Sequence, residues 1–180
     1  MNSESLAAKA TTIKLLLFDV DGVMTDGAVV IHGDGTESKR FHIRDGIAMV
    51  WAQRAGLTVG LLSARQSATT SQRAAQLGIT LVHQGVASKI DTYDQIVGDM
   101  VLTDDEVAYM GDDIVDLAVL GRVGLGAAPA DASAEVLAVV DFVSAHRGGE
   151  GAVRDLIETV LRAQGLWESI VGAYSAEAQR

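Results

Sequence analysis

Residues 13–22 read IKLLLFDVDG, an apolar run that ends abruptly in two carboxylates and a glycine. A short apolar run followed by turn residues is typical of a strand buried on both faces of a parallel sheet. Ligands of open α/β sheets bind beyond the carboxyl ends of the strands. Asp19 and Asp21 stand at that end of the predicted strand and are therefore the first candidate site residues.

Downstream, short apolar runs alternate with segments of helical periodicity. We predict strands over 57–62, 79–82, 107–110, 123–127 and 142–143. We predict a helix capped by Asp45-Gly46, helices over 66–76, 88–97, 114–120 and 132–138, and a last helix that carries Val153, Leu156, Ile157, Val160 and Leu161 on one stripe. Strands that alternate with helices predict an α/β fold with a doubly wound parallel sheet.

Three segments stand apart from this alternation. Residues 27–41 read as a β-hairpin flap, with glycines in its turn. Residues 1–12 are predicted to be a flexible polar tail, which leaves 13–165 as a single domain. The C-terminal tail, 166–180, carries apolar residues that either dock on a neighbouring subunit or fold back on their own chain, and the pattern favours neither alternative.

The composition excludes several classes of function. The 180 residues carry a formal net charge of −10, and the cations are not clustered, which argues against nucleic acid or an anionic membrane as a partner. The sequence contains no cysteine, so disulfides, thiolate metal sites and cysteine nucleophiles are excluded. The sequence shows no signal peptide or membrane span, and a cytoplasmic protein is the default expectation.

Further polar residues follow other predicted strands. Ser63 ends the second core strand, Lys89 follows the third after a short gap, and Asp112 follows the strand over 107–110. A single acid in such a place is best interpreted as a turn or cap residue. Acids at two strand ends, joined by a lysine and a serine, favour a site. Because Asp19, Asp21 and Asp112 offer only oxygen ligands, the set suits Mg²⁺ better than zinc.

This residue set predicts phosphoryl chemistry. A dianionic phosphate monoester repels an attacking carboxylate unless a cation and further donors offset the charge. We expect Asp19 to attack phosphorus and form an aspartyl-phosphate, with Ser63 and Lys89 donating to the phosphoryl oxygens. Asp21 is placed to protonate the leaving alcohol and then deprotonate water, and Asp112 to hold the metal.

The run Asp19-Val20-Asp21-Gly22, Ser63, Lys89 and Gly111-Asp112-Asp113 together resemble the four motifs of the haloacid dehalogenase superfamily. The resemblance implies a Rossmann-like fold, Mg²⁺ dependence and the roles assigned above. It also implies that Asp113 and Asp116 support the metal ligands from behind, although acids there can simply favour a helix N-terminus. The gaps between successive motifs are too short to hold a cap domain, so the site is expected to be capless.

The segments 41–46, 83–85 and 148–154 are similar to those of the 3-deoxy-D-manno-octulosonate 8-phosphate phosphatases, which act in lipopolysaccharide biosynthesis. That resemblance implies a sugar acid phosphate substrate and a homotetramer in which hairpins pack together and neighbouring chains complete each active site. Carried over by position, the substrate contacts are His42, Ile43, Arg44, Asp45, Gly46, Arg65, Arg73 and Lys89. An arginine suits this role because it binds a carboxylate through two hydrogen bonds.

Departures from the family pattern leave alternatives open. Ala64 replaces the usual glycine of the second motif, and Glu150 and Val50 stand where arginines are common in the family. The alternatives are a phosphatase of another nonulosonate 9-phosphate and a non-catalytic, phosphatase-like oligomerisation domain. A receiver domain of a signalling system fits less well, because no acid closes the strand over 79–82.

Overall fold

The computed structural model describes residues 3–177, with side chains for 5–175. Its centre is a sheet of six parallel strands in the order β5-β4-β1-β6-β7-β8. A separate antiparallel pair, β2 and β3, forms the hairpin. The strands are β1 (Leu15–Phe18), β2 (Val30–Ile31), β3 (Glu37–Ser38), β4 (Thr58–Ser63), β5 (Leu81–Gln84), β6 (Val107–Met110), β7 (Leu125–Ala128) and β8 (Phe142–Val143).

Eight α-helices connect and cover the described strands: α1 (Ser3–Thr12), α2 (Ile43–Arg54), α3 (Ala68–Gln76), α4 (Lys89–Met100), α5 (Leu117–Leu120), α6 (Ala134–Leu137), α7 (Ala152–Ala163) and α8 (Trp167–Glu177). Alternate residues of β1 face opposite sides of the sheet. Leu16 and Phe18 enter the core under α1, α2 and α7, whereas Leu15 and Leu17 enter the core under α4, α5 and α6. The predicted doubly wound α/β fold is confirmed.

The strand order reverses between β1 and β6. The chain runs outward from β1 through β4 to β5, then returns to the other side of β1 for β6, β7 and β8. Such a reversal opens a crevice at the carboxyl ends of the two central strands, where ligands of this class of sheet bind. Between β1 and β4 the described chain adds the hairpin and α2, so the site carries no cap domain.

The N-terminal segment differs from the predicted flexible tail. Within residues 1–12, which we expected to be flexible, Ser3–Thr12 form α1. Ala10 is fully buried against the core, and the Lys9 ammonium lies 2.7 Å from a carboxylate oxygen of Asp141. Because the apolar stripe of this helix is narrow, its sequence gives little amphipathic signal. Residues 1 and 2 lie outside the described part of the chain.

Within the described residues the C-terminal segment folds back on its own chain, which is one of the two alternatives left open for residues 166–180. The Trp167 ring is buried and meets Trp51 of α2 edge to face, with ring centroids 5.6 Å apart. The Trp51 indole N–H also donates to the Tyr174 hydroxyl at 3.0 Å. Residues 178–180 lie outside the described range.

Several element boundaries also differ from prediction. The third core strand lies at Leu81–Gln84 instead of 79–82, and the segment 114–120 divides into a 3₁₀ turn, Ile114–Asp116, followed by α5. Helix α2 begins at Ile43 with His42 as its N-cap, so Asp45 and Gly46 lie inside its first turn. Among residues 3–177, no helix combines the length and apolar character needed to cross a membrane.

Candidate active site

The candidate site lies where β1 and β6 end side by side. Phe18 pairs with Met110 in the sheet, and the backbone N–H of Asp19 donates to the Met110 carbonyl at 3.0 Å. Beyond these residues the loops that follow β1 and β6 diverge, and the crevice at the strand reversal lies between them. The acids that follow the two strands, Asp19 and Asp112, therefore meet across that crevice.

Three carboxylates converge there. One oxygen from each of Asp19, Asp112 and Asp116 lies within 4.8 Å of the others. Asp19 and Asp116 are buried, and Asp112 is half-buried. Since like charges this close repel strongly in a poorly solvated site, the cluster is suited to a cation. Ligands that are all carboxylate oxygens favour Mg²⁺ or a similar hard ion.

Two glycines make the approach of these acids feasible. Gly22, with φ of +92°, lies against the Asp112 carboxylate so closely that a β-carbon there would overlap it. A β-carbon on Gly111 would likewise overlap the Asp116 side chain. The glycine that ends the first motif is therefore needed to bring the β1 loop against the β6 loop.

Lys89 supplies a buried cation beside the three carboxylates. Ser88 caps α4, and Lys89 is the first residue of that helix. Its ammonium lies 3.0 Å from Oδ1 of Asp19 and 2.5 Å from Oδ1 of Asp116, and it also lies 3.2 Å from the Tyr109 hydroxyl. A lysine is buried only when it is paired in this way. The contact joins α4 to the ends of β1 and β6.

Asp116 organises the residues around the cluster. Its Oδ1 accepts from Lys89 and from the Tyr109 hydroxyl, and its Oδ2 accepts from the backbone N–H groups of Asp112 and Asp113 at 3.1 and 3.3 Å. The exposed Asp113 carboxylate accepts from the N–H of Ile114 at 2.8 Å and so caps the 3₁₀ turn. Both oxygens of Asp116 are thus engaged, whereas Asp112 remains available for a ligand.

The electrostatics of the site reflect burial and crowding. Burial raises the pKa of Asp19 to about 6, although the Lys89 charge opposes the shift. Burial, together with the negative charges of Asp19 and Asp116, raises the pKa of Asp112 to about 7. Burial alone would lower the pKa of Lys89, but the same two acids raise it above its usual value. The lysine is therefore a permanent cation, and the acids are poised to exchange protons for a metal.

Asp21 lies outside the three-carboxylate cluster. Its carboxylate turns toward the hairpin, where the Lys39 ammonium lies 2.7 Å from Oδ1 and 3.0 Å from Oδ2. The role of Asp21 as a metal ligand stays a prediction, since its carboxylate lies outside this cluster. Sequence reasoning also missed Lys39, and the signal that could have found it is its location directly after β3, the hairpin strand that returns toward the site.

Ser63 and Arg65 occupy the loop after β4. Ser63 is buried, and its hydroxyl accepts from the backbone N–H of Arg65 at 3.3 Å. The Arg65 guanidinium, predicted to bind substrate, lies 2.7 Å from a carboxylate oxygen of Glu37 in the hairpin. Arg65 is therefore already paired with the Glu37 carboxylate in the structure.

The predicted substrate segment 42–46 divides into exposed and buried parts. Ile43 and Arg44 are exposed at the start of α2, and His42 is half-buried. Asp45 is only 2% exposed, and its Oδ1 accepts from the backbone N–H of Arg154 at 3.0 Å. Because Gly151, the N-cap of α7, has no side chain, Asp45 performs the capping from another helix. Asp45 thus has a structural role, and its contact with substrate stays a prediction.

Gly46 and Arg73 pack against each other, and the lack of a side chain at Gly46 makes room for the arginine. A β-carbon on Gly46 would overlap the Arg73 guanidinium, which lies over the Phe41 ring at 5.9 Å from its centroid. Arg73 also donates to the Gln76 side chain at 3.3 Å. The structure thus packs Arg73 against α2 in the space that Gly46 leaves, and the substrate contacts of both residues stay predictions.

A parallel sheet with reversed strand order, carrying acids after β1 and β6 and a lysine at the start of α4, defines the class of this protein. The family model for haloacid dehalogenase-like hydrolases matches residues 61–156. The 3-deoxy-D-manno-octulosonate 8-phosphate phosphatase of Escherichia coli K12 is 36% identical over 170 residues, which cover 94% of this chain and 90% of that protein. The chain belongs to the 3-deoxy-D-manno-octulosonate 8-phosphate phosphatase family of haloacid dehalogenase-like hydrolases.

Solved structures agree with this assignment. The Yersinia pestis 3-deoxy-D-manno-octulosonate 8-phosphate phosphatase matches with a TM-score of 0.90 and 35% identity, covering 92% of this chain and 89% of that one. The Moraxella catarrhalis phosphatase of the same name, solved with a magnesium ion, a phosphate ion and a KDO molecule, matches with a TM-score of 0.94 and 30% identity, covering 96% and 99%.

Proposed function

We propose that this chain hydrolyses 3-deoxy-D-manno-octulosonate 8-phosphate to the free sugar acid and phosphate, in a Mg²⁺-dependent reaction with an aspartyl-phosphate on Asp19. The observation that carries the proposal is the convergence of Asp19, Asp112 and Lys89 in one crevice, with Lys89 3.0 Å from Asp19. Family membership and the magnesium, phosphate and KDO bound to the Moraxella catarrhalis relative support the choice of substrate and metal.

The metal is proposed to rest on the carboxylates of Asp19 and Asp112. Both oxygens of Asp116 already accept hydrogen bonds, and the Asp21 carboxylate pairs with Lys39, so these two acids are less available as ligands. When bound, Mg²⁺ offsets the charge between an attacking carboxylate and the phosphate dianion.

Side chains of the protein carry out the nucleophilic attack and the proton transfers. Asp19 attacks phosphorus as the bond to the sugar oxygen breaks, and Asp21 gives that oxygen a proton. Asp21 then takes a proton from the water that cleaves the aspartyl-phosphate. Ser63 and Lys89 donate to the phosphoryl oxygens, which acquire charge in the transition state.

Recognition of the sugar acid is proposed to involve Arg65 together with the start of α2, at the half-buried His42 and the exposed Ile43 and Arg44. Arg65 already holds one carboxylate, that of Glu37, at 2.7 Å. A substrate carboxylate is the same kind of partner, so its binding requires exchange with Glu37 or a shared contact.

The proposal includes a homotetramer with neighbouring chains at each site, and a cytoplasmic role in lipopolysaccharide biosynthesis. Val30 and Ile31 of the hairpin are 57% and 74% exposed, which supports burial of the hairpin against another copy. The mass of the protein in solution tests this part. A monomer under assay conditions would remove the shared active site from the proposal.

The experiment that tests the function is phosphate release from purified protein. The panel contains 3-deoxy-D-manno-octulosonate 8-phosphate, a nonulosonate 9-phosphate and glycerol 3-phosphate, each with Mg²⁺ and with EDTA. We expect the highest kcat/KM for the first compound and loss of activity in EDTA. A preference for the 9-phosphate assigns the chain to the alternative substrate, and inactivity toward all three supports a non-catalytic domain.

A further inference from the structure

The second hairpin strand, β3, is fastened to the loop after β4. The Glu37 carboxylate accepts hydrogen bonds from the Arg65 guanidinium at 2.7 Å and from the Ser67 hydroxyl. The Thr69 hydroxyl donates to the Glu37 carbonyl at 3.3 Å. Contacts to side chain and backbone together fix where β3 lies relative to the site.

Lys39 follows Glu37 by two residues, so the two side chains leave the extended segment on the same face. The Lys39 side chain is 1% exposed, although it belongs to a surface hairpin. Its ammonium contacts both oxygens of Asp21, at 2.7 and 3.0 Å, and lies 3.4 Å from the Thr70 hydroxyl. The hairpin thus delivers a buried cation to a carboxylate of the site.

The geometry leaves Asp21 able to act. The ammonium donates a hydrogen bond to Oδ2, whereas Oδ1 accepts none from the described residues, so each oxygen keeps a lone pair that can take a proton. About a fifth of the Asp21 side chain, 21%, stays exposed beside the crevice. Without Lys39, the carboxylate would be free to rotate, and proton transfer requires a group held in position.

We propose that Lys39 is a positioning residue that holds the Asp21 carboxylate in place for proton transfer to the leaving oxygen. In this role Lys39 acts through Asp21 and is not itself the proton donor. Glu37, by fastening β3 to Arg65 and Ser67, keeps Lys39 within reach. This inference rests on the proposed function, because it assigns Lys39 a role in that reaction.

The test compares two phosphate esters that differ in their need for an acid. The sugar 8-phosphate releases an alkoxide unless it is protonated, whereas 4-nitrophenyl phosphate releases a stable phenolate. The kcat/KM value depends on the steps from substrate binding up to and including departure of the alcohol or phenolate. For Lys39→Met we expect kcat/KM toward the sugar phosphate to fall by roughly 10- to 100-fold, and toward the aryl phosphate by less than about 5-fold, since acid catalysis contributes on the order of 10²-fold or more.

Lys14→Met is the matched control. Lys14 pairs with Glu106 at the opposite end of β1 and is 65% exposed. We expect its kcat/KM values to match those of the unaltered protein. If neither ester is hydrolysed by the unaltered protein, the proposed function fails. If the unaltered protein hydrolyses both esters but Lys39→Met lowers kcat/KM equally for both, the positioning role fails, and the result indicates a direct contact between Lys39 and the phosphate.

A double-mutant cycle checks that Lys39 acts through Asp21. In an Asp21→Asn background, Lys39→Met should add less than about 3-fold to the loss, since the two residues form one unit. An additive loss would overturn the inference. Lys39→Gln repeats the comparison without the positive charge, and serves in place of Lys39→Met if thermal unfolding shows that the methionine variant does not fold.

Discussion

The Lys89 ammonium lies 3.0 Å from Oδ1 of Asp19, and both side chains are buried, at 5% and 9% exposure. The same ammonium reaches Asp116, which holds the loop after β6. One cation therefore ties the first residue of α4 to the loops after the two central strands. In this arrangement Lys89 stabilises the fold and also places a positive charge beside the proposed nucleophile.

Replacement of Lys89 by methionine should impair both activity and stability. Breaking a buried ion pair leaves uncompensated acids, so we expect the free energy of unfolding to fall by about 3 kcal/mol. Loss of a donor to the phosphoryl group should lower kcat by at least about 10²-fold. Urea unfolding and steady-state kinetics measure the two effects, with Lys14→Met as the exposed control. Unchanged kinetics in a folded Lys89→Met variant would exclude its catalytic role.

Magnesium affinity should depend on pH. The pKa values of Asp19 and Asp112 are raised, chiefly by burial, to about 6 and about 7 in the protein without metal. Protons therefore compete with the cation, and affinity should fall as the pH drops through this window. In the metal-free protein, the raised pKa values should make stability fall as the pH rises from about 4 to about 7. Calorimetric titration with Mg²⁺ checks the first effect, and a constant affinity across this range would contradict it.

Asp45 should matter for stability through the cap of α7. Asp45→Ala removes the acceptor of the Arg154 N–H and should lower the free energy of unfolding by about 1 to 2 kcal/mol. Asp45→Asn keeps an acceptor oxygen and should cost less than the alanine variant. Chemical denaturation of the two variants separates the cases. If both variants are as stable as the parent and only their kcat/KM falls, the result would support a contact between Asp45 and substrate instead of the capping role.

The C-terminal helix should stabilise its own chain. Trp167 is 8% exposed and packs on Trp51, so Trp167→Ala should lower the free energy of unfolding by about 3 kcal/mol. Because the contact lies within one chain, that decrease should not depend on protein concentration. Denaturation at two concentrations a hundredfold apart checks this, with Tyr174→Phe as the milder comparison. A decrease that varies with concentration would instead indicate docking on a neighbour.

The sequence predicted those parts of the site that follow from chain order alone. Asp19, Lys89 and Asp112 each follow an apolar run, and parallel strands bring their carboxyl ends to one edge of the sheet. The roles of Lys39 and Asp45 were harder to predict, because their partners belong to distant segments of the chain. Neither the fold of the hairpin over the loop after β4 nor the capping of α7 by α2 leaves a local pattern. Helix α1 was missed because its buried face is narrow.

Asp19 is proposed to become phosphorylated during turnover, and a measurement that locates the phosphoryl group tests this step. In Asp21→Asn with Mg²⁺ and 4-nitrophenyl phosphate, the good leaving group still permits attack by Asp19. Loss of the base should slow hydrolysis of the aspartyl-phosphate, so the adduct should accumulate. Acid quenching followed by peptide mass spectrometry should find the phosphoryl group on Asp19, and Asp19→Asn should abolish it. Phosphate release by the unaltered protein without an adduct on Asp19, or an adduct on another residue, would exclude Asp19 as the nucleophile.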